Sequence, residues 1–182
     1  MENSLTIRRK AFAKNTVAIF ITVISAVALP QVFHAVGAVS GLGTSLGSAF
    51  LPMHLPVMIA GLLAGPITGL IAGLLSPVIS FAISGMPTAE MLLFMTVELA
   101  GYGLAAGLLR NIKMPTIFKA LIIQIAGRLF RTAAILIAIY GFQSSMVGLA
   151  SIWNSIVNGL PGLILQWALI PLFVFRIEKG HE

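Results

Sequence analysis

The sequence predicts an all-α integral membrane protein with six transmembrane helices and both termini cytoplasmic, and three observations lead there. The 182 residues are 58% hydrophobic and only 9% charged, with a mean hydropathy of +1.04, whereas soluble domains carry about 25% charge. That leaves too little polar surface to cover a globule in water. Next, no Lys, Arg, Asp or Glu occurs from Phe50 to Pro87, and within that run Gly61, Gly65, Gly69 and Gly73 stand four apart. Finally, nine of the 11 Lys and Arg fall in three places that six spans would put on one side. Arg8, Arg9, Lys10 and Lys14 precede the first span, Arg110, Lys113 and Lys119 lie between the fourth and fifth, and Arg176 and Lys179 follow the sixth. Positive charge retained on the cytoplasmic side makes that side cytoplasmic, and an odd number of spans would scramble the pattern.

The spans follow in order within a single membrane domain, 1–182. Span one covers about 11–29 and is expected to stop at Pro30. Its apolar run is long and lacks a clear cleavage site, so no removable signal peptide is expected. Residues Gln31 to Pro56 form a Gly- and Ser-rich connection too apolar for an ordinary solvent loop, which suggests a buried cap or a re-entrant segment. Span two, 57–64, is short and breaks at Gly65-Pro66, the expected cytoplasmic turn. Span three takes 67–83, and span four 88–109. Span five takes 116–140, closed by Gly141, and span six 151–175, with an expected break at Gly159-Leu160-Pro161-Gly162. No internal repeat is visible, so an inverted-repeat transporter is not indicated.

The ionisable residues inside the spans are the first candidates for a site. Charge at the bilayer centre costs about 2.5–3.5 kcal/mol on insertion scales, so such residues pair or face a polar cavity. Glu98 lies in mid span four, and Arg128 and Arg131 lie one turn apart in span five. Counting residues from the helix ends puts Glu98 and Arg131 at similar depth. The three either line a pocket open to the outside or form a buried structural pair. One carboxylate cannot neutralise both arginines, which favours an anionic or carbonyl-rich ligand. Trp153, Asn154 and Asn158 open span six. Two amides on one face and an indole suit a small polar ring, although amides also serve as interhelical hydrogen-bonding groups in membranes. His34, His54 and Met53 lie in the first outer connection and Met86 in the second, where they could lid a site, or simply be structural.

Other chemistry finds no foothold. There is no Cys and no Asp, no phosphate-binding Gly-x-x-x-x-Gly-Lys loop, no His-Glu-x-x-His and no nucleophile elbow. No dense ligand cluster suggests a metal, no cofactor is expected, and nothing suggests ATP hydrolysis or an enzyme. The basic residues sit beside apolar spans, so they orient the chain in a lipid bilayer rather than bind nucleic acid. The glycine ladder and the small residues Ala18, Thr22 and Ala26 of span one permit close helix packing, within the chain or against another subunit.

Several motifs together resemble a known family. They are Phe50-Leu51-Pro52-Met53-His54-Leu55-Pro56-Val57, Ala60-Gly61-Leu62-Leu63-Ala64-Gly65-Pro66, Gly73-Leu74-Leu75-Ser76-Pro77, Gly85-Met86-Pro87 and Glu98-Leu99-Ala100-Gly101-Tyr102-Gly103. The chain resembles the substrate-specific (S) components of energy-coupling factor (ECF) transporters, small six-helix prokaryotic membrane proteins. The resemblance implies a multi-pass protein of a prokaryotic plasma membrane that captures a small water-soluble vitamin from outside with high affinity. It also implies a transmembrane coupling subunit and two ATP-binding subunits as partners, with the S component toppling in the membrane to deliver the vitamin. The pocket would lie in the outer half, under the connection between helices one and two and among helices four to six. The first helix of the family presents an Ala-x-x-x-Ala-like face to the coupling subunit, and Ala18, Thr22 and Ala26 are its nearest, imperfect match here. The vitamin classes implied are pyridoxine-like, hydroxymethylpyrimidine or pantothenate; the extra arginine leans to an acid such as pantothenate or niacin, and the paired amides to a pyridine or pyrimidine ring. The residues alone leave a second reading, a self-sufficient secondary transporter or channel with Glu98 as its protonation site.

Overall fold

The computed structural model describes residues 2–145 and 147–179, with the side chains of residues 2–11 and 178 outside that set. All regular structure among the described residues is helical. The helices are α1 (Glu2–Val39), α2 (Ser45–Phe50), α3 (His54–Ala64), α4 (Pro66–Ser84), α5 (Ala89–Leu109), α6 (Thr116–Leu136) and α7 (Ala150–Lys179), and a π-helical turn, Ile137–Gly141, prolongs α6. They form six stretches long and apolar enough to cross a membrane, with α2 and α3 together making the second. Large apolar side chains such as Phe20, Ile24, Ile67, Leu93, Leu129 and Ile164 stand exposed on the outward faces. That is the arrangement expected where lipid rather than water is the solvent.

Three boundaries differ from the sequence expectation. First, α1 does not stop at Pro30 but runs on to Val39 with the proline inside it. A proline removes one backbone hydrogen bond, but in apolar surroundings an unwound backbone would leave several more unmet, so the helix persists. Second, span two is not an eight-residue piece. Eight residues rise only about 12 Å, far short of a hydrocarbon core of about 30 Å. The chain makes up the difference with α2, which meets α3 at the Leu51-Pro52-Met53 corner, where Leu51 adopts a left-handed φ of 49°. Third, Gly159-Leu160-Pro161-Gly162 does not break α7. The missing side chain at Gly162 instead lets α2 lie against it, since a Cβ there would meet the Phe50 carbonyl group at 2.5 Å.

The glycine ladder packs inside the chain. Gly65, with φ of 98°, makes the turn between α3 and α4. Gly69 of α4 crosses Gly103 of α5, and a Cβ on either would run into the other's backbone. Among the described residues, Met58, Leu62, Tyr102, Ala120, Ile123 and Ile170 belong to the largest buried cluster, which ties α3, α5, α6 and α7 together. A buried polar network crosses the same region. Gln124 donates to Gln166 Oε1 and to the Leu163 carbonyl at 3.1 Å each, Trp167 Nε1 donates to Gln124 Oε1 at 2.6 Å, and Gln166 donates to the Leu51 carbonyl at 3.4 Å. It fastens the α2–α3 corner to α6 and α7.

Candidate substrate cavity

At the end of the bundle where α1 turns into α2, the helices diverge around a cavity of about 460 Å³. That lies within the range of roughly 300–1,000 Å³ usual for small-molecule sites. Each element reaches it for a local reason. On α5, Met91, Met95 and Glu98 follow at helical spacing and share a face; on α6, Arg128 and Arg131 do the same. On α7, Ser151, Asn154, Ser155 and Asn158 form one stripe. The α2–α3 corner supplies Leu51, Pro52, Met53 and His54, and the α4–α5 connection supplies Met86 and Pro87, joined by a cis peptide bond.

Glu98 is the centre of the charged wall. It is 1% exposed, and its Oε2 accepts a 2.7 Å hydrogen bond from Arg131 Nη1. Arg128 Nη1 stands 2.9 Å from Oε1, an ion pair without hydrogen-bond alignment, and His54 Nε2 stands 3.7 Å from the same oxygen. His54, 2% exposed, packs edge-on against the Tyr102 ring at 5.0 Å between centroids. Several nitrogens of this wall have no hydrogen-bond partner within the protein: both of His54, Nε and Nη2 of Arg128, and Nε of Arg131. Gly159 of α7 makes room for Arg128, because a Cβ there would come within 2.9 Å of Nη2. Glu98 thus pairs with both arginines, and all three residues line the cavity.

Of the residues predicted to form a site, the structure brings His54, Met53, Met86, Glu98, Arg128, Arg131, Asn154 and Asn158 to this one cavity. Trp153 is a correction. It lies 67% exposed on α7 and does not line the cavity, because one residue along a helix turns about 100° away from Asn154. The small face of α1 is corrected in part. Ala26 is fully buried against Met53, Val57 and Leu99 of this same chain and presents nothing outward. Thr22, 7% exposed, donates its hydroxyl to the Ala18 carbonyl at 2.7 Å. Ala18 and Thr22 line a groove of about 1020 Å³ that runs along α1 and α3, from Lys14 and Ala64 to Leu29 and Leu55 beside the cavity. Residues of α1, α3 and α7 line it, with Arg110 and Asn111. Sequence reasoning missed Met91 and Met95, although their spacing from Glu98 was a usable signal. It also missed Ser151 and Ser155, which flank the amide pair at helical spacing.

Residues 16–174 match the family model described as "ECF transporter, substrate-specific component". The chain belongs to this family. No curated protein and no solved structure matches it. As an ECF substrate-specific component it is a multi-pass membrane protein of transport, which binds a small-molecule substrate and associates with the other ECF subunits. Such a component supplies substrate binding to the transporter.

Proposed function

We propose that this substrate-specific component captures a small water-soluble vitamin in the cavity between α1, the α2–α3 corner, α5, α6 and α7. The pyridoxine-like, hydroxymethylpyrimidine, pantothenate and niacin classes are the candidates. The vitamin enters from outside a prokaryotic cell and passes inward with a transmembrane coupling subunit and two ATP-binding subunits. One observation carries the reading: the buried Glu98–Arg128–Arg131 cluster opens onto the cavity, with the Asn154 and Asn158 amides on the neighbouring helix. Intramembrane charge is rare and marks substrate paths by default. The distribution of Lys and Arg supports cytoplasmic termini, which puts the cavity at the outer face. The Lys14, Ala18 and Arg110 end of the groove then lies in the cytoplasmic half, a suitable surface for the coupling subunit.

The test is a calorimetric binding screen of the purified chain against all water-soluble vitamins. One vitamin is expected to bind with a Kd below micromolar, and none doing so at micromolar concentration sinks the reading. Uptake into liposomes that hold this chain alone, without ATP, would instead establish a self-sufficient transporter.

A further inference from the structure

We propose that the ligand of this cavity is a small acid bearing a single negative charge, held through Arg128; this rests on the reading of the cavity as the vitamin site. The argument begins with charge. Arginine does not deprotonate in proteins, so two guanidiniums face one carboxylate. The wall therefore carries at least one net positive charge whatever the protonation of Glu98, His34 or His54. Arg128 is 11% exposed and Arg131 14%, so this charge is held largely away from water, where an unmatched ion is costly.

The two arginines are not equivalent. Arg131 is engaged: Nη1 donates to Glu98, and Nη2 reaches the Met91 sulfur at 3.7 Å. Arg128 meets Glu98 only through the unaligned Nη1, leaving Nε and Nη2 without a partner in the protein. These two nitrogens form one edge of the guanidinium, the fork that binds a carboxylate through two parallel hydrogen bonds. Among the described cavity-lining residues, the unpartnered buried arginine nitrogens only donate, and the one unpartnered buried side-chain oxygen, Glu98 Oε1, already faces Arg128 Nη1 at 2.9 Å. A ligand that completes the wall brings acceptors and a negative charge. A monoanion cancels the excess left by an ionised Glu98, whereas a dianion would overshoot it. Beside the charge, the thioethers of Met53, Met86, Met91 and Met95 offer a soft apolar surface for the body of the acid.

The experiment measures binding to the purified chain by calorimetry for acids and their uncharged counterparts, with nicotinic acid against nicotinamide and pantothenic acid against panthenol. Biotin, pyridoxine, hydroxymethylpyrimidine, thiamine and riboflavin complete the panel. An acid is expected to bind, at least tenfold tighter than its neutral counterpart. A neutral or cationic vitamin binding tightly while every acid fails overturns the charge assignment and leaves the vitamin reading standing. No binding by any compound overturns both. Arg128→Gln is expected to erase the acid-to-neutral ratio, and Arg128→Lys, which keeps the charge but not the fork, to restore part of it. Should Arg128→Gln not fold, the lysine variant decides alone: an unchanged ratio excludes the fork. An unchanged ratio in a folded Arg128→Gln excludes Arg128 as the anion's partner.

Discussion

Glu98 faces guanidiniums from two successive turns of α6, and its own helix offers no other countercharge. The distances of 2.7 Å and 2.9 Å, with 1% exposure of the carboxylate, describe a cluster whose members depend on one another. Removing one partner from a buried ion pair costs about 3–5 kcal/mol, chiefly because the other charge is left unmatched. Glu98→Gln leaves two such charges, so its thermal unfolding in detergent should come at a markedly lower temperature, with a loss of at least about 3 kcal/mol. Unfolding at the parent temperature would show that the carboxylate does not hold the arginines. At this scale the sequence was partly legible. An ionisable residue in an apolar span is visible at once, and helical counting brought Glu98 and Arg131 to one depth. The engagement of Arg128 as well was not, because it depends on how α5 and α6 are rotated against each other. Gln124, Gln166 and Trp167 carry no charge, and their network joins residues 42 or 43 positions apart. Nothing local in the sequence marks that pairing.

Between helices, the closest approach is α4 on α5. Gly69 and Gly103 bring the two backbones together with no side chain between them, and Gly73 meets the Leu99 backbone one turn along. In a membrane, helices gain little from excluding water, so this van der Waals contact is a main source of their association. Gly69→Leu should force α4 away from α5, open the frame that carries Glu98, and leave little monodisperse protein on size-exclusion chromatography. Overpacking of this kind typically costs about 1–3 kcal/mol, and more where backbone rather than a flexible side chain is in the way. A variant eluting as the parent does, with equal thermal stability, would mean that the crossing is looser than drawn. The four-residue spacing of the glycines announced close packing but not its partner, which proves to be another helix of the same chain. Composition marked all the spans, yet prolines misplaced two boundaries. Pro30 and Pro161 sit inside continuous helices because lipid penalises unwound backbone more than one lost hydrogen bond.

Over the whole molecule, the cavity lies at one end of the bundle and the groove runs along α1 and α3 from the other, so the Lys14–Ala18 end of the groove can be altered without touching the cavity. The cavity end carries His34, Arg128 and Asn158, and the groove end carries Lys14, Ala18 and Arg110. The chain has no cysteine, so single cysteines report sidedness without background. A membrane-impermeant maleimide added to intact cells should label Ser40→Cys and spare Asn111→Cys, and the reverse would invert the proposed topology. Ala18 lies on the groove wall, partly covered, and far from every cavity residue. Ala18→Trp fills the groove with an indole without touching the arginine wall. The purified variant should therefore bind the vitamin with an affinity within about twofold of the parent. In cells that also hold the coupling and ATP-binding subunits, its uptake should fall to background. Ala26→Trp makes the contrast, since Ala26 is packed against Met53, Val57 and Leu99. An indole there has no free space and should lower stability and binding together. If Ala18→Trp retains full uptake, the partner docks elsewhere; if it loses binding and stability as Ala26→Trp does, the groove is part of the core rather than a surface for another subunit.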